Sequence, residues 1–182
     1  MHSTLAILRK YGLVRLLEVF LRNPSREYYL NEIARELDMS PSTVKTYVDA
    51  LVSDNILSER RKGNLRIFML NNENPMVKEL KRVYFLSLLI AAGIDKVVEI
   101  GTIAIYGSLA KGEIDERSDI DILVISTEKI NYDPIRIAED LTGHKIQVTQ
   151  FIPSSWEALK KNNEPFAKSV RMNHILIKGG PL

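Results

Sequence analysis

Residues Tyr106 to Val124 read YGSLAKGEIDERSDIDILV. The apolar run Ile103 to Tyr106 stops at Gly107-Ser108, and the residues that follow suit a helical turn, so the pair marks a strand-to-helix junction. Backbone N–H groups are free at such a junction. Glycine lets the chain approach a phosphate closely, and the serine hydroxyl can donate to its oxygens. After ten intervening residues, Asp119, Ile120, Asp121, Ile122, Leu123, Val124 and Ile125 read as a strand whose alternation puts both aspartates on one face. Two adjacent carboxylates repel, and a cation that seeks oxygen ligands relieves the repulsion. Magnesium, which takes one or two carboxylates plus substrate phosphates, is the natural candidate. Taken singly, the pair also reads as a tight turn, and the aspartates as exposed strand-end groups.

In combination, G-S, a spacer and D-h-D-h (h apolar) resemble the DNA polymerase beta-like nucleotidyltransferase superfamily, and RSDIDILV is similar to its small single-domain members, the minimal nucleotidyltransferases. The resemblance covers about residues 99–151. It implies that Gly107 and Ser108 hold the phosphates of a nucleoside triphosphate, with Lys111 as a further contact. It also implies that Asp119 and Asp121 bind Mg2+ or Mn2+ and act as the catalytic pair. In that chemistry two metal ions about 4 Å apart clamp the attacking and leaving oxygens of an in-line displacement, with pyrophosphate leaving. Active members carry a third carboxylate on a later strand. Here the corresponding strand is HKIQVTQF, with Lys145, Gln147, Thr149 and Phe151 on one face and Ile146, Val148 and Gln150 on the other. Neither face has an acid, and an amide at Gln147 can orient a water but cannot take a proton. Glu139, Asp140 and Glu128 are the substitutes within reach in sequence. The resemblance further admits a small protein partner, since some minimal nucleotidyltransferases pair with and modify a toxin.

The N-terminal segment has a different pattern. Leu13, Leu16, Leu17, Phe20 and Leu21 recur at helical spacing before Asn23-Pro24 stops the run. Leu30, Ile33, Ala34 and Leu37 form a second stripe, over a helix from about Asn31 to Leu37. After the short turn Asp38-Met39, Ser40 reads as an N-cap and Pro41 as the first residue of a third helix. That helix buries Val44, Val48, Leu51 and Val52 and turns Ser42, Thr43, Lys45, Thr46 and Asp49 outward. ILSERRKGNLRIFML then reads as two strands closed by Gly63-Asn64. Arg60, Arg61, Lys62 and Arg66 cluster at the hairpin tip with no acid between them, a patch suited to phosphates.

This order resembles the winged helix-turn-helix family over about residues 10–72. The resemblance implies a homodimer on double-stranded DNA. Ser42, Thr43, Lys45 and Thr46 would meet the major groove, and Arg60, Arg61, Lys62 and Arg66 the backbone. The same fold also serves as a protein-docking module. The third helix has no arginine, so bidentate reading of guanine has no candidate there.

Composition sets the outer bounds. No cysteine is present, and His2, His144 and His174 are scattered, so a metal site must use oxygen ligands. Arg9, Lys10, Arg15 and Glu18 interrupt the first apolar run, unlike a signal peptide, and the richest apolar segment, VYFLSLLIAAGI, is too short to span a membrane. A cytoplasmic protein is expected. The net charge of +2 is small, but Lys and Arg exceed Asp and Glu by 11 to 9 in residues 1–75 and match them 14 to 14 afterwards, so the excess is N-terminal. Asn74-Pro75 opens an apolar-faced helix through Val77, Leu80, Tyr84 and Leu88 to about Ala92, which Gly93 ends. The expected fold is α+β: a winged helix-turn-helix at 1–73, a connecting helix at 74–93, and a small mixed sheet with helices, nucleotidyltransferase-like, at 94–182. Two mechanisms fit: nucleotidyl transfer, or a catalytically silent domain that senses a nucleotide or binds a protein partner.

Overall fold

Local signals in the chain set most helix ends seen in the computed structural model, which describes residues 10–182. His2, Arg9 and the first nine residues of the expected N-terminal domain lie outside the described residues. The chain divides into two compact units, with the boundary between Tyr84 and Phe85.

In the first unit, α1 (Gly12–Arg22) buries Leu16, Val19, Phe20 and Leu21. A two-residue strand β1 (Tyr28–Tyr29), not anticipated from the sequence, leads directly into α2 (Leu30–Leu37). Tyr28 explains the strand: its ring packs edge-on to Phe20 at 5.1 Å and its hydroxyl donates to the Val19 carbonyl at 3.1 Å. Asp38 takes the left-handed conformation (φ 52°), and the Met39 N–H closes α2 on the Ala34 carbonyl at 2.9 Å. The chain is thereby turned into α3 (Pro41–Ser53), where Ser40 Oγ accepts from the Thr43 N–H at 3.1 Å. Strands β2 (Leu57–Lys62) and β3 (Leu65–Leu70) form the hairpin, and Lys62 faces Leu65 across Gly63-Asn64, with Gly63 at φ 60°. The sheet order is β1-β3-β2, all antiparallel. Helix α4 (Pro75–Ala91) begins where the Met76 N–H meets Asn74 Oδ1 at 2.8 Å and is followed by Gly93 at φ 79°.

The second unit follows a single 3-10 turn, Ile94–Lys96, with β4 (Thr102–Tyr106), α5 (Gly107–Lys111), β5 (Ile120–Ile125), α6 (Asp133–Thr142) and β6 (Ile146–Phe151). Then come α7 (Pro153–Lys161), α8 (Pro165–Met172) and β7 (Ile175–Lys178). The sheet order is β6-β5-β4-β7. β5 and β6, joined through α6, are parallel, while β4 is antiparallel to both β5 and β7, so the sheet is mixed. Leu123 and Ile125 pack against Trp156, Ala167 and Val170, so α7 and α8 cover the face of β5 on which, by alternation, Asp121 also lies. The α+β architecture expected from the sequence is the one observed.

Candidate nucleotide site and nucleic-acid interface

Pairing in the second sheet brings the opening stretch together. Tyr106, at the end of β4, lies opposite Asp121 on β5, and Asp121 lies opposite Gln147 on β6. Gly107, the next residue, has φ 73°, a conformation costly for any residue with a Cβ. A Cβ built there would lie 2.2 Å from Asp121 Oδ2. Glycine is therefore required twice, for its dihedral and for its contact with the carboxylate. Ser108 is half-buried beside it, and its hydroxyl has no hydrogen-bond partner among the described residues. Lys111 is exposed at the last residue of α5.

Asp119 precedes β5, and Gln147 Nε2 donates to its Oδ2 at 2.5 Å. Burial, and secondly the charge of Asp119, push the Asp121 carboxyl above the usual range. Two carboxylates and one amide thus share one face. The acids considered as a third carboxylate are engaged elsewhere: Glu139 Oε1 accepts from the Ile146 N–H at 2.9 Å, and Glu128 Oε2 accepts from the Glu99 and Ile100 N–H groups at 2.7 and 3.1 Å. Asp140 is exposed on α6. Among the described residues no group of three or more His, Cys, Asp or Glu side chains is gathered for a metal ion. The donor set fits one divalent cation completed by phosphate oxygens, and lacks the charge for a second.

The residues assigned to DNA fall on one helix and one hairpin, but they are not one free basic patch. Arg60 is paired with Glu27, its Nε donating to Oε1 at 2.7 Å. Arg66 donates to Glu59 Oε2 and Asp49 Oδ1, each at 2.6 Å, and stacks over the Phe68 ring at 4.9 Å. Its pKa is raised, first by the hydrogen bond to Glu59. The carboxyls of Asp49, Glu59 and Glu27 are correspondingly lowered, first by hydrogen bonds from Lys45, Arg66 and Arg60. Lys45 is bound to Asp49 at 2.8 Å, and Arg61 lies 3.8 Å from Glu59 with most of its side chain exposed. The basic cluster expected at the hairpin is thus tied to acids at Arg60 and Arg66, while Arg61 and Lys62 are exposed. Ser42, Thr43 and Thr46 are exposed, but their hydroxyls are used at the start of α3: those of Ser42 and Thr43 are each hydrogen-bonded to Ser40 Oγ at 2.8 Å, and Thr46 donates to the Ser42 carbonyl at 3.1 Å.

Sequence reasoning missed Asp49 as the joint between α3 and the hairpin. Its link to Lys45 is an i,i+4 spacing that was legible. Its link to Arg66 is tertiary and was not.

Residues 30–58 match the family model described as winged helix-turn-helix DNA-binding, and residues 90–178 match that described as polymerase beta, nucleotidyltransferase. No curated protein and no solved structure matches the chain significantly. The chain thus carries a winged helix-turn-helix DNA-binding domain, matched over residues 30–58, followed by a polymerase beta nucleotidyltransferase domain, matched over residues 90–178.

Proposed function

We propose that this protein is a DNA-binding transcriptional regulator whose C-terminal domain binds a nucleoside triphosphate together with one divalent cation, Mg2+ or Mn2+. The observation that carries this reading is the amide of Gln147, at the position opposite Asp121, bonded to Asp119. Asp119 and Asp121 would hold the cation, which when bound neutralises phosphate charge. Gly107 leaves room for the Asp121 carboxylate beside the turn, and the Ser108 hydroxyl donates to the phosphates. Gln147 holds the Asp119 side chain and supplies neither charge nor a base. The reading is of a site that binds, with nucleotide occupancy biasing DNA affinity from the cytoplasm.

Calorimetric titration of each ribonucleoside triphosphate, with and without magnesium, into wild type and Asp119→Asn tests it. Metal-dependent binding lost in the variant is the expected result. No binding of any triphosphate to wild type would end this reading.

Nucleotidyl transfer is the second reading, favoured by the family match across residues 90–178. In it, an acceptor hydroxyl on a protein (a small toxin-like partner included), a nucleic acid or a small molecule gives up its proton to solvent and displaces pyrophosphate from the α-phosphate, and a phosphodiester forms. Pyrophosphate release that requires Asp119 and an acceptor would establish it. A homodimer on duplex DNA is part of the proposal. In its support, Met76, Val83 and Ile90 are exposed at seven-residue spacing on α4. Sedimentation as a monomer at the concentrations used for DNA binding would remove that part.

A further inference from the structure

Asp119 lies just outside β5, yet its position is fixed from both sides by two consecutive residues of the segment entering β6. On one side His144 Nδ1 lies 2.7 Å from the Ser118 carbonyl oxygen. On the other, the Ile120 N–H donates to the Lys145 carbonyl at 2.9 Å. A carbonyl only accepts, so the ring carries its proton on Nδ1. His144 is almost fully buried, and its own placement is built in: its N–H donates to Thr142 Oγ1 at 3.2 Å and its ring meets Phe85 edge-on at 5.0 Å. Ser118 is tied from the other direction, its Oγ donating to Asp115 Oδ1 at 2.9 Å and accepting from the Asp115 N–H at 3.0 Å.

A buried polar ring needs a partner, but a partner elsewhere would satisfy it equally well. This one acts on the residue next to a carboxylate of the candidate site. We propose that His144 is a positioning residue for that site: its Nδ1–H, through the Ser118 carbonyl, sets the Asp119 carboxylate where it meets both Gln147 and the cation. The inference rests on the nucleotide–cation reading for its use, but its geometry can be tested without any ligand.

The test uses the full-length chain without metal and follows the Gln147 side-chain amide by NMR, because that amide is bonded to Asp119. In wild type the expected signature is a Gln147 amide proton shifted and slowed in exchange, with the His144 ring in the Nδ1–H form. His144→Asn retains a donor near the Nδ1 position and is expected to keep the signature. His144→Leu removes the donor and is expected to lose it, while the amide of Ile120 remains protected in the sheet. Retention of the signature in His144→Leu overturns the proposal. An Nε2–H tautomer in wild type also overturns it, and that measurement stands even if His144→Leu does not fold.

Mn2+ titration followed by electron paramagnetic resonance then separates the two ideas. Loss of a partner that orients a metal ligand lowers affinity about 10-fold or more, so His144→Leu should bind Mn2+ at least that much more weakly, with His144→Asn near wild type. If wild type itself binds no Mn2+, the cation reading fails, while the amide signature still decides whether His144 positions Asp119.

Discussion

At Gly107 the two halves of the motif meet. Any side chain there faces both a left-handed backbone and the Asp121 carboxylate, so Gly107→Ala should cost about 1–3 kcal/mol and abolish triphosphate binding. Thermal unfolding and calorimetry on the same sample check both outcomes. Asp121 makes a prediction of opposite sign. Its carboxyl is raised in the fold, so between the ordinary carboxylate value and the raised one the native state holds more proton than the unfolded chain. Stability contributed by this group therefore falls as pH rises through that window. Asp121→Asn should raise Tm at neutral pH without metal, flatten the dependence of Tm on pH across the acidic range, and eliminate cation-dependent nucleotide binding. A lower Tm in the variant at neutral pH would contradict the assignment of burial and Asp119 as the causes. Gln147→Glu tests the missing charge: it replaces the donor to Asp119 with a third carboxylate, so it should lower Tm without cation and recover it with Mg2+. Wild type should show a smaller response in the same titration.

Among the elements, α3 and the hairpin carry the DNA assignment, and Asp49 couples them by accepting from Arg66 of the hairpin while it also holds Lys45 on its own helix. The exposed Lys45–Asp49 pair contributes only about 0.2–1 kcal/mol, so phosphates can compete for Lys45, whereas Arg66 is half-buried and also held by Glu59. Asp49→Ala should raise affinity for duplex DNA several-fold and steepen its salt dependence by up to about one unit per freed cation. Arg61→Ala should weaken binding evenly across sequences and reduce the slope by about one. Filter binding or anisotropy at several salt concentrations reads both, and unchanged affinity in both variants would move the interface elsewhere. Which of these elements were legible follows from the range of the forces that set them. Ser40-Pro41, Asn74-Pro75 and Gly63-Asn64 act within a few residues, and the element boundaries they predict are observed within a residue or so. The D-x-D strand and its Gly-Ser junction were legible for the same reason. β1 was not, because two tyrosines become a strand only by pairing with β3, some forty residues away. Nor were the partners of Arg60 and Arg66, or the bond from Gln147 to Asp119, each of which joins segments 17 or more residues apart except for the Glu59 link. That link, at a diagonal position across the hairpin, was within reach of the register argument.

For the whole molecule the question is whether nucleotide and DNA communicate, and α4 makes it testable because the one helix contributes to both units. Tyr84, the last residue of the first unit, is a hydrogen-bond partner of Arg22 on α1, while Phe85, the first residue of the second, packs on His144. Coupling requires that nucleotide bind the two DNA-competence states with different affinity; helix continuity alone does not supply that difference. If it exists, the effect is reciprocal. A shift in DNA affinity on adding Mg-triphosphate, expected at about 5-fold or more, must equal the shift in triphosphate affinity on adding DNA. Both can be measured with the same protein, duplex and salt. Asp119→Asn supplies the control, since it should bind DNA as wild type does without nucleotide and show no shift with it. An equal shift in Asp119→Asn would mean that the triphosphate competes with DNA as a polyanion at Arg61 and Lys62, not through the D-x-D site. Identical DNA affinity in wild type with and without saturating nucleotide would separate the two domains functionally and leave nucleotidyl transfer as the reading to pursue.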